Sequence, residues 1–170
     1  NFENTSPACL SDTIYFTDLS TSPNGYVINW IWDFGDGSDT TITFPDSPDV
    51  GHIYSTDATY DVTLIVTDTA GCEHTIIKQV QVVPSPIADF NHDESCFGTP
   101  VQFTDVSIGN GGSDLASWEW FFGDPNSGTQ NYSTLQNPSH LFTSPSDIPY
   151  NVTLIVLSTM GCSDTIMYEV

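Results

Sequence analysis

This chain of 170 residues sets 22 acidic side chains against one lysine and no arginine, a formal net charge of −21. That balance excludes nucleic acid and anionic membrane surfaces as partners, because both require cations to neutralise phosphates. A hydrophobic content of 38% with four Trp, seven Tyr and ten Phe suffices for packed cores, so the acidity does not signal disorder.

No run approaches the roughly 18 apolar residues of a membrane span, and direct membrane insertion is not expected. There is no signal peptide, and without an initial Met the sequence reads as a processed product or a segment of something longer.

The predicted elements, taken in chain order, alternate with period two. Ile14 and Phe16 point one way, Tyr15 and Thr17 the other; Ile28, Trp30, Trp32 and Phe34 share a face; Tyr60, Val62, Leu64 and Val66 form a further apolar row. Turn signals separate them at Ser22-Pro-Asn-Gly25, Gly35-Asp-Gly37 and Phe44-Pro-Asp-Ser-Pro48. After Val82-Val-Pro-Ser-Pro-Ile87 the pattern starts again, with Trp118, Trp120 and Phe122 on one face and Tyr150, Val152, Leu154 and Val156 on another. The later turn signals are Gly109-Asn-Gly-Gly-Ser113 and Thr143-Ser-Pro-Ser-Asp147. These are half-buried strands rich in β-branched and aromatic residues, and no stretch holds a helical period for three turns.

The second half repeats the first at an offset of 87 to 90 positions. Trp32-Asp-Phe-Gly-Asp-Gly37 returns as Trp120-Phe-Phe-Gly-Asp-Pro125, His52-Ile-Tyr54 as His140-Leu-Phe142, and Gly71-Cys72 as Gly161-Cys162. So long a period means two copies of a whole domain. The expected fold class is all-β: two tandem immunoglobulin-like β-sandwiches, residues 1–83 and 84–170, joined by a short proline-containing connector and arranged as a rod.

Each repeat carries one cysteine near its start and one near its end, and no CxxC pair suggests zinc. The matching placement reads as two disulfides within repeats, Cys9–Cys72 and Cys96–Cys162, each closing a loop of about 65 residues worth about 4 kcal/mol in the chain-entropy model. The alternative is four reduced cysteines in a cytosolic protein; disulfides place the chain outside the cell.

Both halves resemble the PKD domain, the immunoglobulin-like module named for polycystic kidney disease. The residues that carry the resemblance are Phe16, Trp32 to Gly37, His52 to Tyr54, Tyr60 to Val66 and Gly71-Cys72. In the second half they are Ala88-Asp-Phe90, Phe103, Trp120 to Asp124, Asn137 to His140, Tyr150 to Val156 and Gly161-Cys162. The resemblance implies spacer and adhesive modules of extracellular surface proteins, with cysteines like those of Bacteroidetes-type bacteria. The expected function is a non-catalytic structural or adhesive module of a surface protein, stalk or filament. The alternative is an accessory substrate-binding or spacer region of a secreted hydrolase. The implied partners are neighbouring PKD-like domains, further copies of the chain, or surface glycans and proteins.

For chemistry the residues offer little. Asp36 between two glycines reads as a tight strand-ending turn bonding local N–H groups, since no helix follows to make a phosphate site. The paired tryptophans read as core in preference to a sugar platform, and His52 and His140 as packed, hydrogen-bonded histidines. Some PKD domains bind calcium; Asp33, Asp36 and Asp68 match that motif and would supply its oxygen ligands, whereas Phe121 and Ser158 replace two of them in the second repeat. Otherwise no cofactor is expected. Thr13, Thr40, Thr69 and Thr165 follow aspartate as in a bacterial O-glycosylation pattern, and Asn4, Asn131 and Asn151 head N-glycosylation triplets.

Overall fold

The computed structural model describes residues 1–23, 25–111, 113–144 and 149–170. Of the turn segments above, Asn24, Gly112 and the stretch Pro145 to Asp147 lie outside the described residues. The chain divides into two units, Asn1–Val83 and Pro84–Val170, each an all-β sandwich. Among the described residues no helix is long and apolar enough to cross a membrane.

The first unit contains β1 (Phe2–Asn4), β2 (Ala8–Cys9), β3 (Thr13–Asp18), β4 (Val27–Asp33), β5 (Asp39–Thr43), β6 (Val50–Ile53), β7 (Ala58–Asp68) and β8 (Glu73–Val83). One sheet has the order β1-β3-β6 and the other β2-β8-β7-β4-β5. Phe2, Ile14 and Phe16 from the first face Trp32, Val62, Leu64 and Val80 from the second, and all are essentially inaccessible. Each such side chain contributes about 1.5–3 kcal/mol on leaving water. The edge-to-face contact of Phe2 with Trp32, centroids 5.1 Å apart at 76°, suits ring quadrupoles.

The second unit repeats this with β9 (Phe90–His92), β10 (Val101–Asp105), β11 (Leu115–Phe121), β12 (Tyr132–Ser133), β13 (Ser139–His140), β14 (Asn151–Ser158) and β15 (Ser163–Glu169). The sheet orders are β13-β10-β9 and β12-β11-β14-β15. Phe90 and Trp120 meet at 5.0 Å and 68°, matching Phe2 and Trp32. The parallel strand β2, which covers the end of β8 (Ala8 beside Val82, Cys9 beside Val83), has no counterpart among the described residues of this unit.

A bulge breaks strict alternation in each unit. A bulge between Val27 and Asn29 turns Val27 into the core and leaves Ile28 only half-buried, so the face is Val27, Trp30, Trp32 and Phe34. The same irregularity falls between Leu115 and Ser117. An extra residue shifts every preceding side chain by one face.

Each unit has two poles. At the leading pole of the first unit, Leu19 N–H bonds Asn1 O (2.8 Å) and the β7–β8 turn ends at Cys72. At the trailing pole, Leu10 N–H bonds Val83 O (2.8 Å) beside Cys9. In the second unit Ala88 N–H bonds Asp164 at the leading pole (2.8 Å), and Tyr150 and Val170 exchange backbone bonds of 2.9 Å at the trailing one.

Candidate functional site: carboxylates, histidines and cysteines

The tryptophans are structural, as their spacing indicates. Trp32 and Trp120 are wholly buried, and their indole N–H groups donate to Pro48 O (3.0 Å) and Leu135 O (2.9 Å). Trp30 and Trp118 donate to Asp18 Oδ2 (2.7 Å) and Asp105 Oδ2 (2.8 Å). A buried indole needs such an acceptor. The sequence reading missed both aspartates; their signal was the repeated Phe16-Thr-Asp18 and Phe103-Thr-Asp105.

The structure unites the aspartate of the glycine turn with the histidine 16 residues on, in both units. His52 Nε2 lies 2.8 Å from Asp36 Oδ2, and His140 Nε2 lies 3.2 Å from Asp124 Oδ2. Each imidazole stacks on the aromatic that precedes the turn: Phe34 at 4.0 Å and 5°, Phe122 at 4.3 Å and 8°. Gly35 and Gly123 let the turn form. Both have positive φ (+78° and +68°), and a Cβ there would come within 2.7 Å of Asp61 O or 2.6 Å of Asn151 O.

The two pairs differ in exposure. His52 and Asp36 keep 17% and 21% of their side-chain surface, whereas His140 and Asp124 keep 2% and 1%. Burial pushes the Asp36 carboxyl up, but hydrogen bonds from Ser38 and His52 outweigh that and bring it down to about 2. For Asp124 burial again acts upward, and is overcome by Thr143, whose Oγ1 and N–H donate at 2.6 and 2.8 Å, and by His140. These hydrogen bonds favour the charged form.

Ser38, His52 and Asp36 share atoms with a nucleophilic triad but not its order. One imidazole nitrogen, Nε2, faces both Asp36 (2.8 Å) and Ser38 Oγ (3.5 Å), and the serine hydroxyl itself donates to Asp36 Oδ1 at 2.6 Å. A triad needs the hydroxyl on one nitrogen and the carboxylate on the other. In the second unit Asn126 stands where the first has Ser38, and the hydroxyl that donates to the aspartate is that of Thr143, at 2.6 Å from Asp124 Oδ1.

The proposed calcium set does not converge. Asp33 is the last residue of β4 and Asp36 follows in the glycine turn, whereas Asp68 pairs with Val27 at the other end of the strand. The 7 residues of β4 separate Asp33 from Asp68 by roughly 20 Å, far more than ligands of one ion at about 2.4 Å allow. Asp68 instead closes its own turn, accepting from Cys72 N (2.9 Å), Ala70 N (2.9 Å) and Ser22 Oγ (2.8 Å). Those bonds, the one from Cys72 foremost, hold its pKa below the usual carboxylate value.

The expected disulfides Cys9–Cys72 and Cys96–Cys162 do not form: Cys72 and Cys96 are free, exposed thiols, whereas Cys9 and Cys162 are disulfide-bonded. Cys72 precedes β8 and Cys9 lies beside its end. The 11 residues between span roughly 33 Å, and a disulfide needs Cα atoms within about 7 Å. In the second unit Cys162 likewise precedes β15, while Cys96 sits near Val101 and Phe142 at the trailing pole.

Of the candidate glycosylation threonines, Thr69 and Thr165 are exposed, and Thr13 and Thr40 are half-buried within strands. Asn131 spends its side-chain oxygen on Asp124 N–H (2.7 Å).

Comparison with known proteins finds the PKD domain twice, over residues 2–82 and 83–170. A microbial collagenase of Vibrio alginolyticus is 40% identical over 67 residues, 37% of this chain and 8% of that protein. Collagenase ColA of Bacillus cereus is 34% identical over 80 residues, 47% of this chain and 8% of that protein. The chain thus spans under a tenth of the length of these relatives. Among solved structures, the PKD1 domain of the Vibrio cholerae metalloprotease PrtV has a TM-score of 0.42 at 27% identity, covering 51% of this chain and 94% of that one. The PKD1 domain of Vibrio anguillarum Epp has a TM-score of 0.43 at 24% identity, covering 52% and 93%.

Proposed function

The chain belongs to the PKD domain family, and from that premise we propose that it is a non-catalytic structural module of an extracellular surface protein, acting as a spacer or stalk segment. One observation carries this reading: the side chains with chemical potential are spent on holding each sandwich together. The Asp–His pairs tie the glycine turn to the facing sheet, Asp68 closes a hairpin turn, and the indoles are bonded internally. Among the described residues, Ser113 Oγ is the buried side-chain polar atom without a partner. Disulfide-bonded Cys9 and Cys162 favour an oxidising, extracellular setting.

A second reading, an accessory region of a secreted hydrolase, is favoured by the identity with two collagenases. Incubating the purified chain with fibrillar collagen and with insoluble polysaccharides separates the two. The spacer reading expects no turnover and no retention on either matrix. Saturable retention on collagen supports the accessory reading, and turnover abolished by His52→Ala overturns both.

A further inference from the structure

The two free thiols occupy positions whose counterparts in the other unit are bonded. Cys72 and Cys162 end the same turn. Asp68 N–H bonds Cys72 O (3.0 Å) as Ser158 N–H bonds Cys162 O (2.8 Å); Gly71 and Gly161 N–H bond Asp68 O and Ser158 O, each at 3.0 Å. The side chains of residues 68 and 158 then accept the cysteine N–H at 2.9 and 3.2 Å. The other pair agrees as well: Cys9 O accepts from the third residue on, Asp12 N–H (2.9 Å), as Cys96 O accepts from Thr99 N–H (3.1 Å). Each turn therefore fixes the backbone of its cysteine in the same way in both units. One cysteine stands at the leading pole of its unit and one at the trailing pole. In each class one member is disulfide-bonded and the other is an exposed thiol.

We propose that Cys72 and Cys96 are the two halves of a disulfide between PKD repeats. A trailing-pole cysteine bonds the leading-pole cysteine of another repeat, and a second copy of this chain can supply it. The pairing is heterotypic, because the bonded counterparts comprise one cysteine of each class, and because the two turns differ in shape. The separation of roughly 33 Å along β8 that rules out closure within one unit also sets the two classes at opposite ends, which suits head-to-tail joining. With glutathione disulfide as oxidant, the Cys96 thiolate attacks one of its sulfurs and releases a glutathione thiol. The Cys72 thiolate of a second copy then attacks the Cys96 sulfur and releases the other. Two protein thiols become one disulfide, one oxidant disulfide becomes two thiols, and both protein protons end on glutathione. This deepens the structural reading above, which stands without it, because a spacer can be joined by polypeptide alone.

The test uses the whole chain with glutathione disulfide, and Cys72→Ser and Cys96→Ser variants. Both sites are exposed, so the fold should persist, and circular dichroism verifies it. Wild type is expected to form covalent multimers containing the Cys72–Cys96 cross-link by non-reducing peptide mapping. Each variant alone stays monomeric, and an equimolar mixture of the two stops at dimers. Three results would overturn the proposal: single variants that dimerise as well as the mixture, wild type that stays monomeric, or a Cys72–Cys96 bond found only within one chain. Any of these leaves the matrix-binding results of the spacer reading untouched.

Discussion

Truncating the buried carboxylate of the second unit should cost far more than truncating its repeat counterpart. Asp124→Ala removes the acceptor of Thr143 Oγ1, Thr143 N–H and His140 Nε2 where both the aspartate and the histidine side chains are 1–2% exposed. Water cannot replace it there. Leaving a buried hydrogen-bonding group without its partner costs about 1–3 kcal/mol, and with three partners stranded we take about 4. Asp36→Ala leaves His52 and Ser38 within reach of solvent, and the expected cost is about 1 kcal/mol. With a urea m-value of about 1 kcal/mol/M for a small domain, the midpoints should fall by about 4 M and about 1 M respectively. Because the two units need not unfold together, hydrogen exchange by mass spectrometry across a urea series should be read separately on peptides of β7 and of β14. Equal shifts in the two units would refute the argument that burial, and not the Asp–His pair as such, sets the cost.

Acid should act on the same carboxylates. Asp36, Asp68 and Asp124 all titrate lower in the fold than their ordinary value of 3.8, so the unfolded chain binds protons first. Their contribution is complete above about pH 4 and is lost as pH falls through the folded values, about 2 for Asp36. Relief of repulsion among the other carboxylates acts oppositely, so the comparison is with Asp36→Asn: the wild-type advantage should shrink between pH 4 and 2, and parallel pH slopes would contradict it. Backbone conformation supplies the last contrast. Gly123→Ala, with positive φ and a carbonyl 2.6 Å from the new Cβ, should lose about 3 kcal/mol. Gly37→Ala, also at positive φ but with open space, should lose about 1 kcal/mol. Urea midpoints that rank them the other way would sink this account.

Period-two alternation carried the reading of the fold, because a strand in a sandwich must put every second residue inside. It went wrong at Ile28, where one bulged residue moves Val27 to the core instead. Burial of Trp32 and Trp120 was legible for the same reason. The Asp36–His52 pair was legible only in part. The sequence marked both residues as structural, but their meeting depends on the β3–β6 register and on the glycine turn, neither of which spacing reveals. The cysteines show the limit most clearly. Repetition identified which cysteines are equivalent, and the inference from equivalence to pairing failed because a strand entering at one pole leaves at the other. Asp68 left the calcium set for that same reason.

Lys78 is the chain's one side-chain cation. It sits in mid-β8 opposite Val62, its ammonium bonded to Phe2 O and 5.1 Å from the Phe2 ring centre. A protease that requires lysine or arginine therefore has a single place to cut, in a strand paired along its length with β7, and must wait for that strand to open. Against proteases of that specificity, a sequence nearly emptied of cations and a strand that holds the remaining one make the first unit cleavable only at the rate at which β8 comes away from β7.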